Sequence, residues 1–152
     1  MELIESIQND LGQSEVAGKK SNPFILGIIK WLIPTATDDS EVAWCAIYLA
    51  YKLYKLGVFE LQDIMNHGKK LASSRYLGSL LKKSEEFPQV GDIILLWRES
   101  PSSYKGHITV LSRDFNDSEL FFYGIGGNQK NRIGENTFVK DRIINVLKPE
   151  IK

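Results

Sequence analysis

The apolar residues of this chain change their spacing once, near Pro88, and that change restricts the fold more than any other feature. Before Pro88 they recur at helical intervals. Leu3, Ile4, Ile7 and Leu11 form one such set within residues 2–11, with Gly12 and Gly18 interrupting it. Ser21-Asn22-Pro23 then reads as a capped start for a short buried helix over 24–32, stopped by Pro34. Asp38-Asp39-Ser40-Glu41 is rich in N-cap residues, and the segment 42–51 behind it is apolar nearly all round. This predicts a central helix with Lys52 and Lys55 on its wet face and Gly57 at its end. A further helix is predicted over 70–82, carrying Leu71, Tyr76, Leu77, Leu80 and Leu81. After Pro88 the pattern becomes short β-rich runs at 92–97, 107–111, 120–123 and 143–147, with turn clusters such as Pro101-Ser102-Ser103 and Asn116-Asp117-Ser118 between them. Helices first and strands second predict an α+β fold, N-terminal helices packed on a C-terminal antiparallel sheet, in one domain over 1–152.

Composition narrows the function classes. With 43% hydrophobic residues among 152, the chain can bury a core without staples. Nineteen basic and nineteen acidic residues cancel, so the footprint of a protein that coats nucleic acid or an anionic membrane is missing. One cysteine forbids an internal disulfide, and with two histidines it leaves too few soft ligands for a usual zinc cluster. The reading therefore calls for no metal and no cofactor. No apolar run is long enough to span a bilayer. The acidic start Met1-Glu2-Leu3-Ile4-Glu5 lacks a basic region followed by an apolar one, so no secretory signal is visible there, and a substrate outside the cytoplasm would require another delivery route or a signal that once preceded this stretch.

Within this frame the single thiol stands out. Cys45 lies in Trp44-Cys45-Ala46 at the head of the central helix, and the helix N-terminus favours a thiolate. An Asp38-x-x-Glu41 capping box would start that helix early and bury the thiol some two turns in, whereas a start at Ser40 or later leaves it useful. His107 follows Gly106 and opens a strand, where its ring can face the helix and take the thiol's proton. His67, between helical segments, reads as a loop or helix-end residue. A third polar group is expected to fix the imidazole, and Gly126-Gly127-Asn128-Gln129 follows the neighbouring strand. Asn128 is the first choice for orienter, with Gln129 sharing that role or lining the cleft; Asp114, Asp117 and Glu119 belong to a hairpin turn too far away. The Cys45 N–H is the natural oxyanion donor. Asp39, Trp44, Gly106, Gly127 and Gln129 are expected at the substrate. Tyr104 and Tyr123 are candidate cleft walls, Trp97 is placed by preference in the core, and Arg75 and Arg98 are candidates for binding substrate carboxylates.

Five blocks in order carry a family resemblance: residues 38–46 ending in Trp44-Cys45-Ala46, Ala72-Ser73-Ser74-Arg75-Tyr76-Leu77, Pro88-Gln89-Val90-Gly91-Asp92-Ile93, Gly106-His107-Ile108, and Gly126-Gly127-Asn128-Gln129. Their order and spacing from about Glu15 to Pro149 resemble the small-domain branch of the NlpC/P60 and CHAP cysteine peptidases and amidases. The resemblance implies a papain-like (NlpC/P60-type) fold and hydrolysis of an amide bond in bacterial peptidoglycan, by an endopeptidase or an N-acetylmuramoyl-L-alanine amidase. It carries the nucleophile to Cys45, the base to His107 and the orienter to Asn128. Two departures stand out: many relatives have Pro-Trp-Cys where this chain has Ala43-Trp44-Cys45, and many CHAP domains have a glutamate near the third position where it has Gly126 or Gly127. The implied partners are stem peptides or muropeptides and an inhibitor or immunity protein, with action in the bacterial periplasm or cell wall, as in a phage lysin or a secreted antibacterial effector. The alternatives are a Cys-His acyltransferase or deamidase on the same fold, or a non-catalytic wall-binding module.

Overall fold

A computed structural model describes residues 3–15, 22–37 and 43–152. Among these residues five helices precede and flank a six-stranded antiparallel sheet, so the α+β expectation holds. The first helix, α1 (Leu3–Gln8), buries Leu3 and Ile7. The next, α2 (Pro23–Leu32), starts where the side chain of Asn22 accepts hydrogen bonds from the Phe24 and Ile25 N–H groups, with Pro23 at the first position, which needs no N–H. Its Ile25, Ile28, Ile29 and Leu32 share one buried face at helical spacing.

The central helix α3 (Cys45–Lys55) buries eight residues, Cys45 through Ala50 with Lys52 and Leu53. Burying each large aliphatic side chain there is worth about 1.5–3 kcal/mol, so this helix anchors the helical layer. Gly57 ends it in the left-handed conformation, φ 82°, that glycine adopts without strain. Lys52 is not on a wet face. It is buried against α1, where it pairs with Asp10 and donates to the Ser6 carbonyl, while the Tyr48 hydroxyl donates to Asp10 at 2.6 Å. A charge-neutralising partner from the segment after α1 is what lets the lysine leave water.

The helix predicted over 70–82 is broken into three pieces. After α4 (Leu61–His67) comes a 3₁₀ turn (Gly68–Ala72); Ser73 then caps α5 (Ser74–Ser79), accepting from the Tyr76 N–H at 3.2 Å. Leu81 already belongs to strand β1 (Leu81–Lys83), paired with Ile151. The remaining strands are β2 (Ile93–Trp97), β3 (Gly106–Leu111), β4 (Phe121–Gly126), β5 (Gly134–Val139) and β6 (Ile143–Ile151). They lie in the order β1-β6-β2-β3-β4-β5. Ile93, Leu95, Ile108, Val110 and Ile125 join the core that the helices cover, whereas Ile94, Leu96, Leu111 and Phe122 form a smaller cluster with Phe115 and Phe138. The alternation follows from the two-residue period of a strand.

The segment after α1 crosses to the far end of the sheet. The Gly12 N–H donates to Ile133, the Ile133 N–H to Gln13, and the Glu15 N–H to Asn131. This short strap fixes the loop between β4 and β5 from outside.

Candidate active site

Helix α3 begins at Cys45, with Trp44 as its N-cap residue, so the thiol sits in the first turn. The N–H groups of that turn have no acceptor within the helix and point toward the thiol's end. The Asp38–Glu41 box and Asp39 lie outside the described residues, and the late start settles the question of depth in favour of a useful thiol.

Around Cys45 three elements converge. Its Sγ lies 3.3 Å from the hydroxyl of Ser74, the first residue of α5, and His107 at the start of β3 and the Ile108 N–H both act on its ionisation. His107 Nε2 lies 3.2 Å from Gln129 Oε1, which leaves Nδ1 as the uncommitted ring nitrogen. The imidazole stacks on Phe138 of β5, with centroids 5.4 Å apart.

Gln129 is held rigidly, and its orientation decides the histidine tautomer. Its Nε2 donates to the carbonyls of Gly124 at 2.9 Å and Gly134 at 2.6 Å, so both amide protons are committed. Its Oε1, which also receives the Thr109 hydroxyl at 2.6 Å, can only accept. His107 Nε2 must therefore carry a proton, and Nδ1 is the nitrogen left to accept when the ring is neutral. Thr109 stands on the same face of β3 as His107, two residues on.

Burial pushes the Cys45 thiol up, but hydrogen bonding and charge from His107, with the Ser74 hydroxyl and the Ile108 N–H, outweigh it and bring the thiol down to about 7. Burial alone would lower His107. Its bond to Cys45 and that group's charge, together with Gln129, lift it above the ordinary histidine value, and the nearby Arg98 opposes them. Each partner thus favours the charged form of the other, which is how a thiolate–imidazolium pair is set up.

The thiol is 3% exposed yet borders a cleft of about 790 Å³. Ala43, Ser74, Gly106 and Tyr104 line that cleft. A second hollow of about 370 Å³ borders His107 and Gln129, with Trp97, Asn128 and Phe138 in its wall. Arg98 and Arg142 line both.

The structure redistributes several expected roles. The hydrogen bond assigned to Asn128 is made by Gln129. Asn128 occupies a turn in the left-handed region, φ 56°, and lines the second hollow, while the buried next residue meets the imidazole. Trp44 faces the interior rather than a substrate: it is 1% exposed, and its indole N–H donates to Glu15 at 2.7 Å. Gly127 packs on it so closely that a Cβ would lie 2.9 Å from both Trp44 and Tyr48. Gly106 does border the thiol's cleft. Trp97 is half-buried at the second hollow rather than in the core, and Tyr123 lies away from both clefts under the Arg113 guanidinium. Arg75 is a brace, donating to the Lys105 and Pro101 carbonyls, both at 3.2 Å. His67 ends α4 and meets the Tyr76 hydroxyl at 2.8 Å. Nothing in the sequence marks Phe138, while Ser74 is marked only by its place in the block 72–77 and Thr109 by standing two residues after His107.

The fold and site define an α+β protein with a buried thiol–imidazole–amide line opening on a cleft. Comparison with known proteins finds no matching family model, no similar curated protein and no similar solved structure.

Proposed function

We propose that this chain is a papain-like cysteine hydrolase of the NlpC/P60 and CHAP kind that cleaves an amide bond in bacterial peptidoglycan, as an endopeptidase or an N-acetylmuramoyl-L-alanine amidase. The observation that carries the reading is the line Cys45–His107–Gln129, in which one thiol at a helix start meets an imidazole whose far nitrogen is fixed by a fully committed amide. The Cys45 thiolate attacks the carbonyl carbon, and an acyl-enzyme forms as the C–N bond breaks. The imidazolium gives its proton to the leaving amine. Water, deprotonated by His107, then attacks the acyl-enzyme and releases the acid and the thiol. The first-turn N–H of Cys45 receives the oxyanion. The substrate is the stem peptide or its link to the glycan, and the place of action is the periplasm or wall.

The test is digestion of purified peptidoglycan by the wild type and by Cys45→Ala, with released fragments identified by mass spectrometry. Fragments released only by the wild type establish the activity and name the bond. Release by neither protein rejects the reading.

A further inference from the structure

The chain as a whole is neutral, but its cleft is not. Lys69, Lys70, Arg98, Lys105 and Arg142 line the hollow beside Cys45, and Glu99 is the only acid among the described residues that does. Glu99 is already engaged, 2.7 Å from Lys105. Two of these cations differ from the rest. Arg98, just past the end of β2, and Arg142, in the 3₁₀ turn before β6, border both the hollow at Cys45 and the hollow at His107, from two separate elements. No carboxylate among the described residues pairs with either guanidinium; Arg142 rests on the Trp97 ring, 5.3 Å from its centroid.

An unpaired guanidinium here has a cost. Arg98 lies close enough to His107 to oppose protonation of the imidazole, the form a thiolate–imidazolium pair requires. An anion bound between the clefts would cancel that opposition and leave the pair strengthened. The planar fork of arginine suits a carboxylate, which it grips through two parallel N–H donors.

We propose that Arg98 and Arg142 form a carboxylate-binding site beside Cys45, so that the preferred substrate carries a free carboxylate close to the bond that is cut. The proposal rests on the hydrolase reading for the word substrate, but the site itself is measurable without one. Cys45 is alkylated with iodoacetate and with iodoacetamide, two reagents of similar size that differ in a carboxylate, and the ratio of the two rates is compared between wild type and R98Q/R142Q. The ratio cancels the thiolate fraction, because both reagents meet the same thiol. The double variant is expected to lower the iodoacetate preference about threefold or more at low salt, and less at high salt. R98K/R142K, which keeps the charge but not the two-donor fork, is expected to restore part of the preference. A ratio unchanged in R98Q/R142Q overturns the site. A wild type that shows the arginine-dependent ratio yet releases nothing from peptidoglycan keeps the carboxylate site and rejects the wall hydrolase. Release that is equally fast from walls with amidated and with free stem carboxylates overturns the substrate preference.

Discussion

Helix α3 carries two buried polar clusters, and they have opposite characters. At its first residue Cys45 meets His107, Ser74 and, through the imidazole, Gln129. One and two turns further on, Tyr48 and Lys52 meet Asp10 of the segment after α1. Both clusters are hydrogen-bonded and shielded. In the second, burial and the neighbouring carboxylate raise the Tyr48 hydroxyl far above the ordinary tyrosine range, so its proton is locked in place. In the first, the neighbours overcome burial and release the proton near neutrality. The difference lies in the sign of the partner and in the cleft, which touches Cys45 but not Tyr48 or Lys52. Burial with full hydrogen bonding makes a brace; a reactive group requires in addition a partner that favours its charged form and a route to solvent.

Mutation should separate the two clusters cleanly. His107→Ala is expected to reduce fragment release from peptidoglycan by about 10³-fold, while urea unfolding moves little, since it removes the base and leaves the helical core intact. Asp10→Ala should do the reverse. It strands a buried lysine, so denaturant titration should register a loss of about 3 kcal/mol, with the iodoacetamide rate of the folded protein unchanged. If Asp10→Ala instead silenced the thiol, the two clusters would be one unit.

Within the first cluster, Gln129→Ala is expected to lower the turnover rate on the order of a hundredfold, and Asn128→Ala by less than about twofold. Steady-state kinetics on the fragments named by mass spectrometry would decide between the two amides. The smallest effect concerns pH. With the folded thiol at about 7, the rate of alkylation by iodoacetamide should rise as pH increases through a midpoint near 7, because only the thiolate reacts. Ser74→Ala removes a donor to the thiolate, so the midpoint should move upward by roughly half a pH unit. A downward move would mean that the hydroxyl accepts from the thiol rather than stabilising its anion.

Much of this was legible in the chain. The cap at Asn22-Pro23 and the apolar runs of β2, β3, β4 and β6 follow from local chemistry that the tertiary structure does not override. Cys45 and His107 were legible because one thiol and one strand-opening histidine leave few combinations. What escaped depends on distant partners. Strand β5 reads Gly-Glu-Asn-Thr-Phe-Val and has little apolar signal; it exists because its residues pair with β4 from Phe121 to Gly126. Lys52 looked solvated because Asp10 is far away in sequence. Gln129 and Asn128 are chemically near-identical, and only the carbonyls of Gly124 and Gly134 choose between them.

The strap from Gly12 to Glu15 binds the loop that carries Gln129, and its Glu15 holds the Trp44 indole beside Cys45. During synthesis the thiol emerges long before the histidine, and the strap finds its acceptors only after residue 133 has been made. Contacts so remote in sequence carry a large loop-closure cost. A thiol without that imidazole beside it is an ordinary, largely protonated one at neutral pH. The lowered thiol is therefore a property of the complete fold, because the groups that lower it and the acceptors of the strap come from the C-terminal two thirds of the chain.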